Sequence, residues 1–149
     1  MAKGIAKSRR PQAERAAEHW LREILGCVCT RRAVRTKWAA VDFFGADIVG
    51  KTETGAHCYV QVTAGKSQAV TARRRKLEAI PWHDWDTVIL LQLIETKNPA
   101  HGRRKQWWFR VYEYETIDDP PSRPLARQWR LWESATAVPP RWFKAWKEG

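Results

Sequence analysis

No stretch of this chain is apolar and long enough to cross a bilayer, and no basic amphipathic stretch would anchor it to a membrane surface. Acidic residues are scarce. Sixteen Asp and Glu stand against 27 Lys and Arg, leaving a formal charge of +11 that favours a polyanionic partner, most simply nucleic acid. Cysteine is scarce too: Cys27, Cys29 and Cys58 are odd in number and lack zinc-ligand spacing. Reduced structural thiols and a cytoplasmic location are therefore expected, with Cys27 and Cys29 as neighbours on one strand face. His19, His57, His83 and His101 show no paired spacing. There is no internal repeat, and no phosphate-binding loop of the GxxxxGK[ST] type, which excludes a nucleotide-driven motor. Residues 1–10 are basic but have no apolar core, so they are expected to form a flexible arm rather than a secretory signal.

What the chain has in excess is tryptophan, ten in 149 residues, six of them after residue 100. Core and interface packing is the main reading, because each indole buries a large area. Base stacking on single-stranded or distorted nucleic acid is the competing one.

Pro11 opens a helix whose apolar positions Ala13, Ala16, Ala17, Trp20, Leu21, Ile24 and Leu25 recur every three or four residues, with Gly26 as its stop. Glu14 and Glu18 lie one turn apart on it, and either could face a site. A short strand from Cys27 to Ala33 follows, then a basic loop with Arg31, Arg32, Arg35 and Lys37. Residues 41–63 read as a strand carrying Asp47, a turn at Lys51–Gly55, and a second strand carrying Gln61. Alternation sets Asp47 and Val49 opposite Ile48 on the first strand. On the second it sets Tyr59, Gln61 and Thr63 opposite Val60 and Val62. Pairing the two would bring Asp47 and Gln61 together. Asp42 reads either as a site residue or as a turn and cap residue.

Ser67 or Thr71 caps a helix that runs to Ala79 and carries Arg73, Arg74, Arg75 and Lys76. Val88–Ile94 is a central strand, and Gln106–Tyr114 is its antiparallel partner. In the latter, Trp108, Arg110, Tyr112 and Tyr114 alternate with Trp107, Phe109, Val111 and Glu113. Asp118–Pro121 reads as a linker. Leu125, Trp129 and Trp132 have helical spacing, so the Trp-rich tail is expected to form short helices, packed over the sheet or onto a second subunit. The expected fold is α/β, a mixed central sheet flanked by helices. Its parts are a basic arm at 1–10, a domain at 11–116 and a Trp-rich helical extension at 117–149.

This order, with Phe44-Gly45-Ala46-Asp47, Gln61-Val62-Thr63 and an Arg-rich helix, resembles the PD-(D/E)xK nuclease superfamily. Within it, residues 10–115 are similar to the archaeal-type Holliday-junction resolvases and their phage and bacterial relatives. The resemblance implies a restriction-endonuclease-like fold and a homodimeric, Mg²⁺- or Mn²⁺-dependent endonuclease acting on branched DNA. It implies that Glu14, Asp47, Gln61 and the Val62 carbonyl hold the metal. Gln61 stands where the family has Glu and Thr63 where it has Lys, so Lys66 is the candidate replacement for that lysine. Arg31, Arg32, Arg35, Lys37, Arg73, Arg74, Arg75 and Lys76 would hold the DNA. The alternative is a non-catalytic nucleic-acid-binding protein on a nuclease fold.

Overall fold

A computed structural model describes residues 10–35, 40–41, 46–64, 67–97, 105–117 and 126–144. The elements are α1 (Arg10–Glu23), β1 (Cys27–Arg32), β2 (Val34–Arg35), β3 (Ala40–Val41), β4 (Ile48–Thr52) and β5 (His57–Thr63). They continue with α2 (Ser67–Glu78), β6 (Thr87–Lys97), β7 (Lys105–Thr116), β8 (Arg127–Leu131), β9 (Thr136–Val138) and a 3₁₀ turn at Pro140–Phe143. The fold is α/β, built on one mixed seven-stranded sheet. Strands run in the order β1-β4-β5-β6-β7, and both β8 and β9 lie along the far edge of β7. All pairings in this sheet are antiparallel except β5 with β6, whose parallel arrangement needs the α2 crossover. β2 and β3 form a separate two-stranded pair.

Alternation divides the sheet into two dissimilar faces. Val60, Val62, Ile89, Leu91, Leu93, Phe109 and Val111 point to one side, where Ala13, Ala16, Ala17, Trp20 and Leu21 of α1 close the larger core. On the other side Val88 and Leu90 pack under Val70 and Leu77 of α2. Gly26 ends the α1 connection at φ +73°, a left-handed conformation that an L side chain resists. β6 is central and is buried on both faces over Val88–Leu93, as a run apolar at every position but Gln92 predicts.

Several expectations need correction. The strand expected across 41–50 divides: residues 40–41 belong to β3, and β4 begins only after Asp47. Arg31 and Arg32 lie in β1 and Arg35 in β2, not in a loop. A bulge between Cys27 and Cys29 breaks the strand's alternation, so Cys27 is buried and Cys29 exposed. All three thiols are free, as expected. The hydrogen bond from Cys27 to Cys58, with burial, holds the Cys27 thiol far above its ordinary range, and the same bond pulls Cys58 down.

The tail is not helical over 127–138. β8 and β9 are strands that continue the sheet, interrupted at residues 132–135 where the chain bulges off β7. Beyond them, Trp142 is 4% exposed and stacks on His19 at 6.2 Å. Trp132 packs on Trp20 at 5.6 Å, and Trp20 Nε1 donates to Thr136 Oγ1. These indoles do core work inside the chain. The expected linker at Asp118–Pro121 lies outside the described residues.

Candidate functional site

Asp47 sits where three strands meet. Its N–H donates to Val60 O (2.9 Å), and its carbonyl accepts from Ala33 N (2.7 Å), which fixes its backbone between β1 and β5. Its carboxylate then reaches along β5, where Oδ2 accepts from Val62 N at 3.0 Å. The register that pairs Ile48 with Val60 sets position 47 opposite Gln61. Ile48 and Val60 belong to the α1-side core, so Gln61 falls on the α2 side, and the alternation carried one residue beyond β4 sets Asp47 there with it. Both are buried, Asp47 at 1% exposure and Gln61 at 3%.

The polar row continues across the sheet. Thr63 is buried at the end of β5 and lies level with Gln92 of β6. The Tyr112 hydroxyl donates to Gln92 Oε1 at 3.3 Å. A buried Gln in the most apolar strand of the chain carries a desolvation cost that this contact offsets. Gln92 and Tyr112 did not stand out in the sequence as site residues. The available signal was a single amide interrupting an otherwise apolar run.

Helix α1 lies antiparallel to β1, as its contacts show: Arg22 reaches Val28 and Thr30, while Glu18 reaches Thr30 and Arg32. Glu18 accepts from the Thr30 hydroxyl and from Arg32 Nε, each at 2.8 Å, and is thereby committed to β1. Glu14 stands one helical turn further on, about 5–6 Å towards Ala33 and hence towards Asp47. The structure thus separates the two helix acids that the sequence left equivalent. Glu14 is the one at the Asp47 end, and it is half-buried.

Of the expected site residues, the structure brings Asp47, Gln61 and Val62 together. Val62 touches Asp47 through its N–H rather than through the carbonyl expected to ligate metal. Lys66, Lys37 and Asp42 lie outside the described residues, as does the side chain of Arg35. Among the described residues no three His, Cys, Asp or Glu side chains form a metal-holding group. The expected basic contacts divide by face. Arg31 pairs with Val49 and so lies on the side of Asp47, whereas Arg32 pairs with Ile48 and turns to Glu18 on the α1 side. On α2, Arg75 and Lys76 are exposed and Arg73 is half-buried. Arg74 lies over the Trp129 ring at 5.1 Å and the Tyr112 ring at 5.8 Å, a cation–π contact that ties α2 to β8.

No described helix is long and apolar enough to cross a membrane. Compared with models of protein families, with curated proteins and with solved structures, the chain matches none.

Proposed function

We propose that this protein is a metal-dependent endonuclease of restriction-endonuclease-like build that hydrolyses phosphodiester bonds in branched DNA, acting as a homodimer. The observation that carries this reading is the seating of Asp47. Its carboxylate is held against β5 by the Val62 N–H, opposite Gln61, at the end of the sheet where the first turns of α1 lie. Leaving aside the separate β2–β3 pair, the order α1-β1-β4-β5-α2-β6 leads from the helix acid Glu14 through the Asp47–Gln61 hairpin to a parallel crossover strand.

The donors beside each other are oxygen only, the Asp47 carboxylate and the Gln61 amide, and Glu14 on α1 is the candidate third donor from the other side of the sheet. That is the chemistry a hard cation such as Mg²⁺ or Mn²⁺ takes. Such an ion supplies charge that polarises a scissile phosphate and acidifies water. The chain's own residues do the rest. Val62 N–H orients Asp47, the Gln61 amide adds a neutral donor, and Arg31 on the same face offers a phosphate contact. A two-fold dimer fits a substrate with symmetry-related strands.

A second reading, binding without cleavage, is favoured by two specific observations. Asp47 is almost wholly buried, and the described residues bring no third acid to it.

One assay separates the two readings. Purified protein is incubated with a synthetic four-way junction in Mn²⁺, in Mg²⁺ and in EDTA. Cleavage is expected with either metal and not in EDTA. Asp47→Ala should abolish it while junction affinity stays within about twofold, since the carboxylate makes no phosphate contact. Binding without cleavage in any metal, by protein that melts cooperatively, would leave only the second reading.

A further inference from the structure

Among the described residues, the α2 side of the sheet is not fully covered. Helix α2 packs over Val88 and Leu90, with Tyr112, Tyr114 and Trp129 around it. The C-terminal half of β6 and the N-terminal half of β7 lie beyond that contact. Their residues on this face are Gln92, Ile94, Trp108 and Arg110, with Leu131 of β8 alongside at 52% exposure. Arg110 is exposed and has no hydrogen-bond or ion-pair partner among the described residues. Trp108 is half-exposed, and its indole N–H is fixed by Thr96 Oγ1 at 2.9 Å.

Charge is sorted between the two faces. The carboxylates of β6 and β7, Glu95, Glu113 and Glu115, all occupy the α1-side register, where they pair with Lys105 and Arg130. On the α2 side the same two strands carry no acid among the described residues, and their one charge is Arg110. Arg110 is also in line with the candidate site. Thr63 is level with Gln92, and Gln92 with Arg110, so two strand spacings, about 10 Å, separate Arg110 from Thr63.

We infer that this strip of the sheet, where Arg110 and Leu131 are exposed and Trp108 is partly so, binds a single-stranded DNA segment adjoining the Asp47 site, with Arg110 on a phosphate and Trp108 stacked on an unpaired base. The choice of occupant follows from shape and charge. A sheet face with a partly exposed ring, an exposed Leu and a guanidinium that has no partner among the described residues offers a stacking surface beside a backbone contact, as single strands require. A B-form duplex hides its base faces and would gain nothing from Trp108. The inference rests on the proposed function only for the location of the site.

The test is fluorescence anisotropy of the full chain with a labelled oligothymidylate of about 16 nucleotides and with a blunt duplex of equal length. It is run in EDTA so that hydrolysis plays no part. Trp108→Ala is expected to weaken oligothymidylate binding by about fivefold to a hundredfold. Arg110→Gln should reduce the log–log salt slope by about 0.7. Trp108→Ala should leave duplex affinity within about twofold, because the duplex exposes no base face to this surface. Leu131→Glu, at an exposed position that tolerates a polar side chain, should also weaken oligothymidylate binding. The inference is overturned if variants that melt like the parent bind oligothymidylate like the parent, or if Trp108→Ala weakens single strand and duplex equally. A protein that cuts no junction yet shows the expected losses keeps this surface and loses the nuclease reading. One that cuts junctions with unaltered oligothymidylate binding does the reverse.

Discussion

At the scale of single residues, one glycine is fixed by packing rather than by backbone conformation. A Cβ on Gly50 would lie 2.7 Å from Cys27 Sγ, 3.2 Å from Cys27 Cβ and 3.4 Å from Leu21 Cδ1. Gly50 pairs with Cys58 on β5, so its missing side chain is what lets the Cys27 thiol reach across β4 to Cys58. Gly50→Ala is therefore expected to destabilise by about 1–3 kcal/mol through overpacking, despite the lower entropy of the unfolded chain. Combining it with Cys27→Ala should cost less than the sum of the two single changes, because the second removes the obstructing sulfur. Urea midpoints at constant m-value measure this, and strict additivity would show that the clash is relieved elsewhere. Such a contact is invisible in the sequence, since it depends on a bulge that turns Cys27 inward. That Asp47 and Gln61 lie opposite each other was legible because the register of a short hairpin needs only local information, although Asp47 itself stands one residue before β4. The distinction between Glu14 and Glu18 was not, since only the direction of α1 along β1 separates them.

At the scale of elements, the tail shows how a periodicity can mislead. Leu125, Trp129 and Trp132 fit a helical spacing, yet Trp129 and Leu131 equally fit a strand, and the free edge of β7 decides between them. That edge is non-local, so the sequence of the tail alone could not reveal it. Arg127 then locks β8 in place, donating to Tyr114 O, His83 O and Asp86 O at 2.6–2.9 Å. Burial holds its pKa below the ordinary arginine value, although nearby Asp86 partly offsets this. The strands of the central sheet were legible for the opposite reason. The Trp108/Arg110/Tyr112/Tyr114 alternation is the face division found in β7. The tail's contribution to the core predicts a large effect at Trp142. Trp142→Ala should cost about 3–5 kcal/mol, as for other buried tryptophans. Trp142→Phe should cost clearly less, because a ring remains against His19 and the buried indole N–H, which has no partner among the described residues, is removed. Denaturant unfolding checks both. Equal losses would show that the packing of the ring against α1 contributes little.

At the scale of the whole molecule, the sheet separates two jobs. The α1 side holds the larger core and the acid–base pairs. The α2 side holds Asp47, Gln61, Thr63 and Gln92 in one row, and Arg31 and Arg110 on that face have no partner among the described residues. A net charge of +11 attracts a polyanion to any part of the surface, so charge alone does not choose a side. Arg31 and Arg32 offer a matched comparison, being adjacent in β1 with identical side chains on opposite faces. Arg31 has no partner among the described residues, whereas Arg32 is paired with Glu18. If DNA lies on the α2 side, Arg31→Gln removes a phosphate contact. It should weaken junction binding several-fold at about 0.1 M salt and lower the log–log salt slope by about 0.9 for duplex arms. Arg32→Gln changes the net charge equally but should leave affinity and slope unchanged. Its cost to stability should stay below about 1 kcal/mol, because the pair it breaks is partly exposed. Titrations of both variants against one junction at several salt concentrations decide the matter. Equal effects would mean that DNA is drawn only by net charge, and a larger effect at Arg32 would put it on the α1 side, away from Asp47.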